Sequence, residues 1–262
     1  MSAVRSRLLA LLGAAVLVAC GPSYAPPPAA QESVAQPSAD AIEAETARVN
    51  EWLFARWEEY LDFSPILKTE LGRKDDYDKI DDVSEEGEKA YLEWYRQTVA
   101  NLKEDFNYDL LTPDAKISYD LWVYGLALDE AALPFRRHGY IFTQMNGSHA
   151  WLPTFLINLH NVESADDMQA YIARIRGVSR AIDQLVERAR INASEGVRPP
   201  RFAFEAVIEE SNALLAGAPF DGEGDAPLWA DAKAKIDALV ESTAIDERRA
   251  EELRDAAESA LR

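Results

Sequence analysis

Several things are scarce in this chain, and each scarcity removes a class of function. There is one cysteine, Cys20, in 262 residues, which excludes an internal disulfide framework and any zinc cluster built on cysteine. Three histidines, His138, His149 and His160, restrict metal chemistry. Positive charge is short as well: 27 Lys and Arg stand against 46 Asp and Glu, for a net charge of −19. Binding a polyphosphate requires a dense cationic field, so nucleic acid is excluded as a partner. The apolar run at residues 8–19 falls short of the ~20 residues a membrane-spanning helix needs. Strand signal is thin, with residues 140–145 the one stretch that reads as a short extended piece, because residues 134–153 break helical periodicity. What remains is 48% hydrophobic and 10% aromatic, enough for a real core and unlike a disordered acidic chain.

The first forty residues read as an address. Residues 1–19 have the form of a secretory signal, with Arg5 and Arg7 ahead of the apolar run and small residues at its end. The motif Leu17-Val18-Ala19-Cys20 resembles the bacterial lipobox, in which the thiol is diacylated and the cysteine becomes the first residue of the mature protein. Acyl chains contribute ~0.8 kcal/mol per buried CH₂, so two or three of them anchor stably. The expected location is therefore outside the cytoplasm, lipid-anchored through Cys20 on the periplasmic face. Gly21 in place of an aspartate favours the outer membrane. Residues 20–39 carry Pro22, Pro26, Pro27, Pro28 and Pro37 among Ser, Gln and Ala, the composition of an extended, disordered tether. The folded domain is expected over residues 40–262.

That domain reads as mainly α, a set of amphipathic helices. Apolar residues recur at helical spacing from Asp40 through Ile42, Val49, Trp52, Leu53, Leu61 and Phe63, and Pro65 is expected to end the helix. Residues 75–82 form a charged loop. Ser84 is placed to cap a second helix, with Glu85 and Glu86 against its dipole. Thr112-Pro113 opens another, which continues through Ile117, Leu121, Tyr124 and Leu128. Ser164 with Asp167 begins the clearest helix, from Tyr171 to Ala189, which Gly196 stops. Pro199 and Pro200 begin one through Phe204, Ile208 and Leu215. Residues 228–240 and those from Asp246 onward are helical again. The last of these runs to Arg262 without a terminating glycine or proline, which is compatible with a fragment.

Chemical motifs are few. Zinc peptidases of the common type need His-Glu-x-x-His on a helix, and none of the three histidines here is followed by glutamate. His160 and Glu163 form one His-x-x-Glu pair, whereas a di-iron bundle uses two plus further glutamates. There is no Gly-x-Ser-x-Gly elbow and no P-loop. The six tryptophans could stack on sugars or peptides, but in an α-helical domain such residues mostly pack in or beside the core. A glycosidase-like pair of carboxylates is the remaining hydrolytic option, and sequence alone does not select one.

Four segments in order carry a family resemblance: Ser64-Pro65-Ile66-Leu67-Lys68-Thr69-Glu70-Leu71-Gly72, Ser118-Tyr119-Asp120-Leu121, Gln144-Met145-Asn146-Gly147-Ser148-His149, and Gly196-Val197-Arg198-Pro199-Pro200. Together they resemble the amino-terminal half of the bacterial domain of unknown function 885 family, whose members are often secreted, mostly helical lipoproteins similar to gluzincin zinc peptidases. The resemblance implies an incomplete half of a larger helical peptidase-like fold. In the family the His-Glu-x-x-His element lies beyond the matching segments, so no catalytic residue and no metal ligand carries over to this chain. Zinc is expected in intact relatives, where a zinc-bound water would attack a peptide carbonyl, and no cofactor is expected here. What the resemblance leaves to this chain is one wall of a peptide cleft, with Gln144, Asn146 and His149 as candidate polar contacts. The alternative is a self-sufficient helical lipoprotein that binds a peptide or protein partner in the periplasm.

Overall fold

Six of the nine α-helix starts among the described residues are written locally, by a short polar side chain that accepts a hydrogen bond from an otherwise unpaired backbone N–H of the first turn. The computed structural model describes residues 37–145 and 147–262. The signal segment, Cys20 and the tether through Gln36 lie outside the described residues. Ser38 caps α1 (Ala39–Leu61), Ser64 caps α2 (Pro65–Glu70) and Ser84 caps α3 (Glu85–Asp105), the last accepting from the Gly87 N–H at 3.0 Å. Thr112 caps α4 (Pro113–Ala132), with proline at the first helical position. Then come α5 (Ser148–Leu159), α6 (Ala165–Ser194), α7 (Arg201–Leu214), α8 (Pro227–Glu241) and α9 (Glu247–Leu261). The described residues are thus mainly α and contain no strand; Ala218 and Asp225 form an isolated bridge.

The long helix α6 shows how closely its ends follow the sequence. Ser164 Oγ accepts from the Asp167 N–H at 3.1 Å, while the Asp167 carboxylate reaches one residue further back and accepts from the Glu163 N–H at 3.0 Å. At the other end Gly196 has φ +89°. Its N–H bonds Ala193 O and that of Val197 bonds Asn192 O, the paired closure that a left-handed residue permits.

Three expectations are corrected. Pro65 does not end the first helix: α1 stops at Leu61, and Pro65 starts α2, where its missing N–H costs nothing. Residues 140–145 are bends and turns rather than an extended piece. The stretch 134–153, expected to interrupt helical structure, contains the start of α5. Pro153 lies inside that helix and removes a single backbone bond, to the carbonyl of His149. The packing of Leu152, Phe155 and Leu156, all buried, outweighs that loss.

Two apolar clusters organise the packing. One gathers Leu152, Phe155 and Leu156 of α5, Tyr171, Ile172 and Ile175 of α6, Ile236 and Leu239 of α8, and Leu253 of α9. The other joins Val49 and Leu53 of α1 to Leu102, Phe106, Leu111 and Tyr119 around α3 and α4. Two expected apolar faces are not in either. On α4, Ile117, Leu121, Tyr124 and Leu128 are 58%, 62%, 60% and 50% exposed, and that helix instead buries Ala115 and Tyr119. On α7, Phe204, Ile208 and Leu215 are also exposed, and Ala203 is its buried residue.

The largest of the fully buried side chains is charged. Arg174 of α6 is fully buried. Its guanidinium donates to Lys79 O at 2.9 Å, Thr69 Oγ1 at 2.7 Å, Pro65 O at 3.3 Å and His160 Nδ1 at 3.0 Å, between the rings of Tyr77 and Phe155. Removing one partner from such a buried set leaves the rest unsatisfied. Arg174→Leu is therefore expected to cost about 3–5 kcal/mol in urea unfolding. A loss under about 1 kcal/mol would mean that these acceptors find other donors.

Candidate functional site

The three residues named as cleft contacts are not equivalent in the structure. Gln144 sits half-buried in the turn before α5. Asn146 lies outside the described residues. His149, in the first turn of α5, is buried, and its Nε2 lies 2.7 Å from Glu210 Oε2 of α7. Its Nδ1 is buried with no hydrogen-bond partner among the described residues. The ring fits there because residue 147 is glycine: a Cβ at Gly147 would stand 2.3 Å from it and 2.6 Å from Thr143 O. His149 thus ties the start of α5 to α7.

His160, at the C-terminal end of α5, is 1% exposed. An arginine only donates, so His160 Nδ1 accepts from Arg174, and Nε2–H donates to the carbonyl of Asp167 at 3.0 Å. The ring stacks on Tyr77 with centroids 4.0 Å apart. Both nitrogens are spent, and Glu163 is paired with Lys74 at 2.8 Å, so the His-x-x-Glu pair does not offer a metal its lone pairs. His138 is exposed beside Phe135. Among the described residues no three His, Cys, Asp or Glu side chains are grouped to hold a metal ion. The donor set present does not fit the zinc that the family resemblance implies.

A concave surface lies elsewhere, in a groove of about 880 Å³ between the end of α1, residues 78–83, the start of α3, α4 and α6. Tyr60, Phe63, Tyr91, Asp129, Arg180 and Arg188 are among its walls. Two further hollows adjoin it. One of about 380 Å³ shares Glu88, Tyr91, Asp129 and Arg188. The other, about 330 Å³, shares Tyr60 and Tyr91 and adds Trp57, Trp94, Trp122 and Leu121. Tyr91 borders all three.

The aromatic walls are tightly interlocked. Tyr91 lies 6.0 Å from Tyr60, 5.7 Å from Phe63 and 5.9 Å from Trp94 between ring centroids, and Trp94 is 6.2 Å from Trp122. Such spacings contribute attraction beyond burial. Polar atoms of the rings are anchored: Trp94 Nε1–H donates to Glu59 at 3.0 Å and the Tyr95 hydroxyl to Trp122 O at 2.9 Å. Burial, and then the carboxylate of Asp129, raises the Tyr91 phenol above its ordinary pKa. Sequence reasoning placed these tryptophans in half-buried packing. It missed Asp129 and the meeting of α1, α3 and α4 rings in one groove, and the nearest signal was the aromatic density at residues 52–63 and 91–95.

Comparison with known proteins gives one match. The sequence model of a family described as "Bacterial protein of unknown function (DUF885)" matches residues 65–262. No curated protein and no solved structure matches the chain.

The environment of His160 has a consequence in acid. Burial chiefly, and then the charge of Arg174, hold its pKa down to about 4 from 6.5. The unfolded chain therefore takes up a proton at His160 before the folded one does. The contribution is complete above pH 6.5 and is lost as pH falls from there toward 4, at up to about 1.4 kcal/mol per pH unit. His160→Gln, which cannot titrate, is expected to flatten that part of the stability–pH curve measured by urea melts. An unchanged slope between pH 6.5 and 4 would assign it to other groups.

Proposed function

The chain belongs to the DUF885 family of bacterial proteins of unknown function, and on that footing we propose that it is a non-catalytic helical part of an exported, lipid-anchored peptidase-like protein. In this reading acylated Cys20 holds it to the periplasmic face of the outer membrane, and the helices form one wall of a peptide cleft. Zinc, where the family uses it, is held by residues other than those described here. Gln144 and Asn146 are the proposed polar contacts of the cleft, and His149 fixes the start of α5 through Glu210.

The observation that carries the reading is the pair of exposed apolar rows. Residues 117, 121, 124 and 128 share one face of α4 by helical spacing, and each is at least half exposed. Phe204 and Ile208 repeat the pattern on α7. Helices of this kind normally turn such a stripe toward a packing partner, and contiguous exposed apolar surface marks an interaction site. The partner proposed is the catalytic half of the larger fold. The groove beside α3 supports a second reading, a lipoprotein that binds a peptide by itself, since its aromatic walls are already assembled in this chain.

Two measurements test this. The mature chain extracted from membranes is expected to carry a diacylglyceryl mass on Cys20, less than stoichiometric zinc, and no activity on a mixed peptide library. One tightly held zinc per chain together with turnover would refute the non-catalytic reading. Leu121→Lys and Ile208→Lys are expected to change unfolding free energy by no more than about 0.5 kcal/mol, as for other surface substitutions. Losses above about 2 kcal/mol would show that the chain covers these rows itself.

A further inference from the structure

Asp129 is the unusual member of the groove. It is half-buried on α4, and it borders both the main groove and the adjoining hollow. No Lys, Arg or His lies within ion-pair distance of it among the described residues, although 25 such pairs are present there. The two arginines of the same groove are already occupied. Arg188 pairs with Glu88 at 2.8 Å and donates to Val83 O, and Arg180 donates to Ile80 O at 2.7 Å. The carboxylate therefore stands without a cationic partner beside the Tyr91 hydroxyl, at the edge of a surface made of aromatic faces.

Aromatic faces and an unpaired carboxylate recognise the same kind of ligand. The negative face of an aromatic ring attracts an organic cation, most strongly from tryptophan, and a half-buried carboxylate adds a charge-assisted hydrogen bond. Tyr60, Phe63 and Tyr91, which line the groove with Asp129, supply the faces. A single ammonium ion would fill little of a groove of about 880 Å³, a volume within the ~300–1,000 Å³ range of pockets for larger ligands. The neighbouring hollows extend it further.

The geometry points to a subsite for a cationic side chain, lysine or arginine, of an extended peptide, with Asp129 as the charge partner and Tyr60, Phe63 and Tyr91 as the aromatic walls. The inference rests on the second reading above, in which the groove beside α3 binds a peptide, and names the class of that peptide. The aliphatic stem of either side chain would pack along the rings while its charged head reached Asp129. Arginine suits the site better than lysine, because its planar guanidinium stacks on a ring and can meet a carboxylate with two bonds.

General attraction of cations to a chain of net charge −19 is the competing explanation, so the test isolates the site. Tryptophan fluorescence of the full chain is titrated with an uncharged-ended Ala-Ala-Arg-Ala-Ala peptide, its all-alanine counterpart and choline, at two salt concentrations. The arginine peptide is expected to bind at least about tenfold more tightly than the other two. Asp129→Asn, nearly isosteric, is expected to lose about that factor, and Tyr60→Leu to weaken binding as well. Glu93→Gln, an exposed acid on α3, is expected to leave binding unchanged. Near-ultraviolet circular dichroism checks that the variants remain folded, and if Asp129→Asn does not, Tyr60→Leu decides. Equal binding of the arginine and alanine peptides overturns the inference, as does an equal loss in Glu93→Gln. Choline binding as tightly as the peptide replaces the peptide with a small free cation and overturns it too. None of these results bears on zinc content or turnover, so the two proposals fail separately.

Discussion

The groove has a wall with no regular structure of its own, and arginines of α6 hold that wall in place. Residues 78–83 carry no helix, yet Arg174 donates to Lys79 O, Arg180 to Ile80 O and Arg188 to Val83 O. Each bond satisfies a carbonyl that a helix or strand would otherwise have paired. Arg174 is the most constrained of the three, since no water reaches it. No carboxylate touches it. Carbonyls, a hydroxyl and the His160 nitrogen take its protons instead, and burial lowers its pKa to about 10, which leaves it charged at neutral pH. Asp81 completes the arrangement from the other side. Its carboxylate accepts from the Ser64 hydroxyl at 2.8 Å and the Ile66 N–H at 2.9 Å, so the same segment also fixes the start of α2.

What sequence could and could not reveal follows from how far each interaction reaches along the chain. Helix starts at Ser84, Thr112 and Ser164 were legible because a cap involves residues two or three apart. The end of α6 at Gly196 was legible for the same reason. Pro153 misled because its penalty is local and visible, whereas the burial of Phe155 and Leu156 that overrides it depends on α6 and α8. The apolar stripes of α4 and α7 were legible as stripes, but their exposure was not. Periodicity reports that a helix has an apolar face; it does not report what stands opposite.

The candidate site was less legible than the fold, and again for reasons of distance. Tyr60, Tyr91 and Asp129 come from three helices and meet only after the bundle has formed. His160 shows the converse. As a histidine three residues from a glutamate it invites a metal reading, yet Arg174 and Asp167 O consume both its nitrogens. A count of three histidines limited the chemistry from the outset, but only the hydrogen bonds say what each one does.

The groove and the exposed row on α4 are parts of one surface. Residues seven apart on a helix point in nearly the same direction, so Trp122, at the aromatic hollow, and Asp129, at the groove, share one side of α4, while Leu121 and Leu128 share the adjacent side that carries the exposed row. Leu121 belongs to both, since it also borders the aromatic hollow with Trp57 and Trp94. A partner laid along the α4 row would therefore cover Leu121 and close the open side of that hollow. Closure would exclude water from the rings and from the surroundings of Asp129, and attraction between a carboxylate and a cation strengthens as the local dielectric falls. In the proposed arrangement, the contact that hides the apolar row of α4 is also the one that completes the cation subsite, so partner docking and peptide recognition reinforce one another through a single helix.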